Sequence, residues 1–291
     1  MFKINPIILV HGGTTNNPYR LEEKKVGIAK ALYTGYQILR QSGSSLDAVI
    51  KAVVSLEDDP NFNAGYGSVP NILGEVEMDA AIMTNGRFGA VAGIKDVKNP
   101  ILVAKKVMDE TEHILLVGDN ATKFARLMGF GYFNPLTDEM KKRFENSKTS
   151  PHYKKVEYFR NLYGMGTVGA VAMDYEGNIA CAVSTGGLFL HLPGRVGDSP
   201  LIGGGIYVNE NGGAVFTGFG EKIAINLLAK ESVDCLKNNK PYEVVERLLG
   251  KYDFPFGLII LNKFGEFASG HNMKYLFWGV KSENEEEISA E

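Results

Sequence analysis

Apolar residues recur along this chain in two rhythms, and each rhythm predicts a different element. Residues 7–10, Ile-Ile-Leu-Val, form an unbroken apolar run that reads as a buried strand, leading into a glycine-rich loop, His11-Gly12-Gly13-Thr14-Thr15. A helical stretch ending near Gly43 follows, and Ser44 or Ser45 caps a second helix whose Leu46, Val49, Ile50, Val53 and Val54 return at helical spacing. Residues 56–67 read as a loop from their Pro, Asn and Gly content, 75–83 and 88–94 as short strands, and Pro100 as the start of a helix to 108. Further on, 168–173 and 179–184 form an apolar hairpin around Asp174-Tyr175-Glu176-Gly177-Asn178, and 256–261 with 266–269 form another. Residues 221–236 and 241–250 between them read as helices. Strands and helices come in blocks, which favours a layered α+β sandwich over a doubly wound parallel sheet. No internal repeat is visible.

Two stretches break the pattern. From about 134 to 166, Lys141-Lys142-Arg143, Glu145, Lys148, His152 and Lys154-Lys155 leave little apolar surface to bury, so a mobile linker is expected there. Residues 282–287, Ser-Glu-Asn-Glu-Glu-Glu, are expected to be a frayed acidic tail.

Composition narrows the function classes. The 291 residues are 44% hydrophobic and 22% charged, which suits one large globular domain or two tightly joined halves. With 31 basic and 34 acidic residues, the net charge of −3 offers no footprint for nucleic acid or an anionic membrane, and a small neutral or zwitterionic substrate fits better. The first residues carry too short an apolar run for a signal peptide and no segment approaches spanning length, so cytoplasmic residence is expected. Cys181 and Cys235 make neither a disulfide framework nor a metal-ligand pattern and read as free thiols.

Candidate chemistry centres on Gly166-Thr167-Val168-Gly169-Ala170, where a threonine opens an apolar segment behind the polar stretch. A cut between Gly166 and Thr167 would leave the hydroxyl and a free α-amine on one residue, and that amine can serve as the hydroxyl's base. By itself, a threonine at the start of a strand is equally accounted for by β-propensity. Three motifs follow it: Ser184-Thr185-Gly186-Gly187, Gly194-Arg195-Val196-Gly197-Asp198-Ser199-Pro200, and Thr217-Gly218-Phe219-Gly220-Glu221. Thr185 closes the strand that pairs with the one Thr167 opens, so its hydroxyl can orient the nucleophile. Arg195 and Asp198 can grip the carboxylate and ammonium of an α-amino acid, and main-chain N–H groups at Thr217-Gly218 can hold an oxyanion. Taken singly, a surface ion pair, a turn threonine and a strand-to-helix turn explain them as well. Glu57-Asp58-Asp59 is either a solvated surface or part of a turn that aims carbonyls at a cation. His11 to Thr15 is only superficially a phosphate loop, since no Lys-Ser/Thr pair follows.

These motifs, together with His11-Gly12-Gly13, Asn63-Ala64-Gly65 and Glu77-Met78-Asp79-Ala80, appear in an order that resembles the plant-type asparaginases and isoaspartyl peptidases. Members of that family are threonine amino-terminal-nucleophile hydrolases. The resemblance runs from about residue 7 to 228 and weakens beyond. It implies a four-layer αββα sandwich made as a precursor that cuts itself between Gly166 and Thr167. The resulting α subunit, 1–166, and β subunit, 167–291, would stay in one structural domain and assemble as a dimer of αβ heterodimers. It further implies Thr167 as nucleophile supported by Thr185, with Thr217 and Gly218 at the oxyanion. Arg195 would take the substrate carboxylate and Asp198 with the Gly220 carbonyl its ammonium, Asn63 joining Gly218 at the substrate. Main-chain carbonyls of Leu56, Glu57, Asp59, Phe62, Ala64 and Tyr66 match the family's sodium site, a structural ion, and no catalytic cofactor is implied. L-asparagine and isoaspartyl dipeptides are the implied substrates.

Two departures stand near the expected site: Thr14-Thr15 where many relatives have glycine, and Leu190-His191 where many have Asn-Lys. Two other readings remain open at this stage. One is an uncleaved, catalytically silent small-molecule binder; the other is a relative acting on glycan-linked asparagine, which the expected location and the lack of disulfides disfavour.

Overall fold

The computed structural model describes residues 5–17, 19–149, 153 and 166–290. Two sheets organise them. The larger contains β1 (Ile7–Thr15), β2 (Met78–Thr84), β3 (Arg87–Ile94), β4 (Leu115–Val117), β5 (Val168–Met173), β6 (Ile179–Thr185), β11 (Tyr275–Ser282) and β12 (Glu286–Ala290), in the order β12-β11-β1-β5-β6-β2-β3-β4. The smaller contains β7 (Ile206–Asn209), β8 (Gly212–Gly218), β9 (Phe256–Asn262) and β10 (Phe267–His271), in the order β10-β9-β8-β7. All pairings are antiparallel except β3 with β4. The α+β class follows directly.

The apolar runs are continuous because both faces of each central strand are covered. On β1, Ile8 and Val10 point into one buried cluster and Ile7 and Leu9 into another; Ala170 and Ala172 divide from Val171 and Met173 on β5 in the same way. The first cluster is closed by α1 (Leu21–Arg40), α2 (Ser45–Glu57), α3 (Pro100–Glu110) and α4 (Gly118–Leu127). The second joins the two sheets, with Val215, Ile259 and Leu261 of the smaller meeting Val171, Cys181 and Val183 of the larger. On the far face of the small sheet, Ala214, Phe216, Leu258 and Ile260 pack against α6 (Gly220–Ile225), α7 (Leu228–Cys235) and α8 (Pro241–Lys251). Ser44 is the cap of α2, its side chain accepting from Asp47 N.

Four expectations need correction. The residues of the expected glycine loop, 11–15, continue β1, with a bulge between His11 and Thr14 that absorbs the two glycines. The helix expected over 221–236 is two helices, because Leu227 turns left-handed at φ 51°. That turn lets Ile223 before it and Leu228 after it enter the same cluster, whereas five residues along a straight helix point roughly 140° apart. Within the expected linker, Asp138–Ser147 form α5, capped by Thr137 and anchored by buried Phe144 against Ile72 and Leu190; residues 150–152 and 154–165 lie outside the described residues. The acidic tail is not frayed. It turns at Ser282, whose N–H meets the Glu285 carbonyl, and returns as β12 on β11, with Ile288 packed on the helical side of the large sheet.

Candidate active site

Thr167 stands one residue before β5, the strand between β1 and β6 near the middle of the large sheet, and is 8% exposed. Two registers converge on it. Across the hydrogen-bonded pair, Val168 faces Ser184, so one step further Thr167 lies opposite Thr185. Between the sheets, a β-carbon on Gly213 would meet Val171 Cγ2 at 3.2 Å and one on Gly169 would meet Val215 Cγ2 at 3.1 Å. The next step of two along both strands brings Thr217 over Thr167. Three threonines far apart in sequence thus face one point.

The groups around that point are poised for a ligand. Thr217 Oγ1 and Asp198 Oδ2 are buried without a hydrogen-bond partner among the described residues, and unsatisfied buried polar atoms are expensive unless something binds them. Thr185 Oγ1 accepts from Gly187 N at 3.1 Å, which leaves its own proton to donate. Thr167, Thr185, Gly187, Arg195, Asp198 and Gly218 share a small cleft. Gly218 ends β8 at φ 136°, where a β-carbon would strike the Pro255 carbonyl at 2.5 Å, so glycine alone fits and its backbone stays open to the cleft. Gly220 is equally constrained: a β-carbon there would lie 2.7 Å from Asp198 Oδ1 and 3.1 Å from Arg195 Nη2.

Gly166 is clamped. A β-carbon on it would come within 2.9 Å of Asn63 Cβ, and one on Gly13 would come within 2.6 Å of Gly166 Cα. Asn63 itself braces the wall: Nδ2 donates to the Gly187 carbonyl at 2.8 Å, Oδ1 accepts from Val69 N at 3.0 Å, and its carbonyl accepts from Gly186 N at 2.9 Å.

Burial sets the electrostatics. Asp198 has its pKa pushed up to about 7 by desolvation, against the pull of Arg195. Arg195 itself forks onto Glu221, with Nε and Nη2 donating at 2.9 and 3.0 Å. Partial burial works to raise the Glu221 pKa, but the guanidinium wins and holds it below the usual value.

Sequence reading gave no role to three groups that the fold brings here. Glu77, just before β2, and Asp79, on it, accept the N–H groups of the glycines flanking Arg195: Gly194 N lies 3.0 and 3.2 Å from the Glu77 oxygens, and Gly197 N 3.4 Å from Asp79 Oδ2. Asp79 Oδ1 also takes Gly93 N at 2.8 Å, and desolvation raises its pKa to about 6. His11, paired with Gly169, is fully buried, and desolvation lowers its pKa to about 3 despite the Thr167 main chain beside it. Neither of its ring nitrogens completes a well-formed hydrogen bond among the described residues. The two-residue spacing of Glu77 and Asp79 in the strand expected over 75–83 is the signal that would put the two acids on one face.

Of the two departures, Thr14, Leu190 and His191 are buried and Thr15 is half-buried. Thr14 is 1% exposed with its methyl against Gly257. His191 is 2% exposed, Nδ1 donating to the Leu192 carbonyl at 2.8 Å, so it is no exposed loop residue, and burial lowers its pKa from 6.5. At the end of α2 and in the loop after it, the carbonyls of Leu56, Glu57 and Asp59 accept N–H groups of Asp59, Tyr66 and Phe62, while those of Phe62, Ala64 and Tyr66 accept none from the described backbone. The Glu57 side chain turns inward instead, accepting from Ser184 Oγ at 2.7 Å and Ile101 N at 3.0 Å.

A sheet-to-sheet cleft with a threonine cluster, an open buried carboxylate and a guanidinium is the kind of site that processes a small zwitterion. Residues 4–290 match the family model described as asparaginase, and the chain belongs to that family. It is 44% identical to the plant-type L-asparaginase of Pyrococcus furiosus over 97% of this chain and 98% of that protein. It is 43% identical to the isoaspartyl peptidase/L-asparaginase of Bos taurus, over 91% and 89%. To the plant-type L-asparaginase of Thermococcus kodakarensis it is 42% identical, over 97% and 98%.

Proposed function

We propose that this chain, a hydrolase of the asparaginase family, is an autoprocessing amidohydrolase that converts L-asparagine to L-aspartate and ammonia and also cleaves β-aspartyl dipeptides. The observation that carries the reading is the convergence of Thr185 and Thr217 on Thr167 by two independent registers.

In this mechanism the free α-amine of Thr167 takes the proton of its own hydroxyl, with Thr185 orienting it. Oγ1 adds to the side-chain carbonyl of the substrate, and the resulting oxyanion is held at Thr217-Gly218, where the buried hydroxyl has no other partner among the described residues. The C–N bond breaks, the leaving nitrogen takes the proton, and a β-aspartyl ester on Thr167 remains. Water, activated by the same amine, hydrolyses it. Arg195 binds the substrate carboxylate, and Asp198 with the Gly220 carbonyl binds its ammonium.

The same hydroxyl adding to the Gly166 carbonyl accounts for maturation: an N-to-O acyl shift replaces the peptide by an ester, and hydrolysis releases fragments 1–166 and 167–291. The clamp on Gly166 by Gly13 and Asn63 supports this, since it fixes the carbonyl before attack. The same reading takes the two sheets and their helices as the four-layer αββα sandwich of amino-terminal-nucleophile hydrolases, the mature form as a dimer of αβ heterodimers, and the residence as cytoplasmic. No helix among the described residues is long and apolar enough to cross a membrane. The free carbonyls of Phe62, Ala64 and Tyr66 suit a structural sodium ion, a hard cation that prefers oxygen; catalysis uses the chain's own groups.

Intact mass and amino-terminal sequencing test the reading. Wild type should yield a smaller fragment beginning Thr-Val-Gly-Ala and turn over L-asparagine, while Thr167→Ala remains one chain. A single chain of 31.8 kDa after long incubation of wild type, without turnover, identifies a silent binder and overturns it.

A further inference from the structure

Gly166 is a wall shared by two clefts. One is the pocket of Thr167, Arg195 and Asp198; the other is a larger cleft, with about 1020 Å³ of open space, lined by Gly12, Phe62, Asn63, Arg20, Lys24 and Arg143 among others. Glu139 is its only acidic lining residue among the described residues, and it is bound to Arg20 at 2.7 Å. Lys24 is the unbalanced charge. Its ammonium sits 4.8 Å from the Phe277 ring centroid and has no carboxylate partner among the described residues. Burial, and then the nearby Arg20 cation, lower its pKa, so the site is short of negative charge.

We infer that this cleft is the subsite for the departing amino acid of a β-aspartyl dipeptide, with Lys24 as counter-charge to its α-carboxylate. The inference rests on the proposed hydrolysis. In that reaction Oγ1 of Thr167 bonds to the β-aspartyl carbonyl carbon, the C–N bond breaks, and the nitrogen leaves as an amine carrying the proton. The acyl half is held by Arg195 and Asp198, so the leaving half extends from the other side of Thr167. Once the Gly166–Thr167 bond is cut, displacement of Gly166 joins the two clefts at that point. L-asparagine, whose leaving group is ammonia, has nothing to place there. Lys24 therefore acts on the choice between substrates.

The test compares kcat/KM for β-Asp-Leu with that for its C-terminal amide, using matured wild type, Lys24→Met and Lys24→Arg. Because each ratio is internal to one enzyme, a smaller folded fraction cancels. Wild type should prefer the free acid, Lys24→Met should lose roughly threefold to tenfold of that preference, as for a partly buried ion pair, and Lys24→Arg should keep most of it. An equal preference in wild type and Lys24→Met overturns the subsite. If the carboxylate bound there is the chain's own, at Gly166 of the 1–166 fragment, the preference is unchanged and Lys24→Met instead lowers the Tm of the mature form more than that of the uncut Thr167→Ala chain, which also overturns it. Matured wild type that hydrolyses neither L-asparagine nor β-Asp-Leu fails the proposed function itself; turnover of both without acid preference fails only the subsite.

Discussion

Arg195 gives Nε and Nη2 to the Glu221 carboxylate, at 2.9 and 3.0 Å, and turns Nη1 toward Gly187 on the cleft wall. The fork is thereby oriented before substrate arrives, with one donor edge spent and one presented. Glu221→Gln should loosen that orientation and raise KM for L-asparagine by a few-fold with kcat little changed. Arg195→Lys, which removes the planar fork, should cost about 1.5 to 3 kcal/mol in kcat/KM, or roughly tenfold to over a hundredfold. Steady-state kinetics on both variants decide the matter, and a lowered KM in Glu221→Gln would mean that Glu221 competes with substrate instead of orienting Arg195.

Asp198 must be ionised to hold an ammonium, and in the unliganded protein its pKa is raised to about 7 by burial. The kcat/KM of wild type should therefore fall as pH drops through about 7, while Asp198→Asn should be far less active and lack this inflection. In the proposed mature form a free α-amine on Thr167 would ordinarily titrate near this range as well, so the comparison is between the two proteins. Cleavage of the precursor should persist in Asp198→Asn, since the scissile peptide carries no ammonium; mass spectrometry reads that directly.

Glu77 and Asp79 fix the loop that carries Arg195 through the N–H groups of Gly194 and Gly197. Asp79→Ala would leave the buried N–H groups of Gly93 and Gly197 without acceptors, at about 1–3 kcal/mol each. A lower Tm and a higher KM should appear together, and Asp79→Asn should recover part of both. Unchanged KM in the alanine variant would detach Asp79 from substrate binding.

Stability should depend on pH through Glu57. Its folded pKa is raised to about 8 by desolvation, so between 6.5 and about 8 the folded state keeps a proton that the unfolded state has released. Stability then falls as pH rises through this window, by at most about 1.4 kcal/mol per pH unit from this group. Asp198, raised to about 7, adds in the lower part of the window. His11, lowered from 6.5 to about 3, works oppositely and costs stability only as pH falls below about 6.5. Denaturant melts of the uncut Thr167→Ala chain should show the decline from pH 6.5 to 8, and adding Glu57→Gln should flatten most of it.

The sequence by itself determined what local chemistry can encode. Period-two and period-3.6 apolar patterns placed the hairpin at 168–184, the helix capped by Ser44 and the helix starting at Pro100, because those elements bury their own side chains where they stand. The ordered motifs around Thr167, Thr185, Arg195, Asp198 and Thr217 named the candidate site residues, since their types limit the chemistry available to them. Only the tertiary structure decided how they meet. That Thr217 lies over Thr167 depends on how two sheets stack, and that Glu77 and Asp79 serve Arg195 depends on a loop over a hundred residues later crossing β2. The tail of glutamates became a strand because β11 offered an unpaired edge, and the polar stretch before residue 150 kept a helix because Phe144 found Ile72 and Leu190. In each of these cases the deciding partner is remote in sequence, and hydrogen bonding and burial with it outweigh the local preference of the segment.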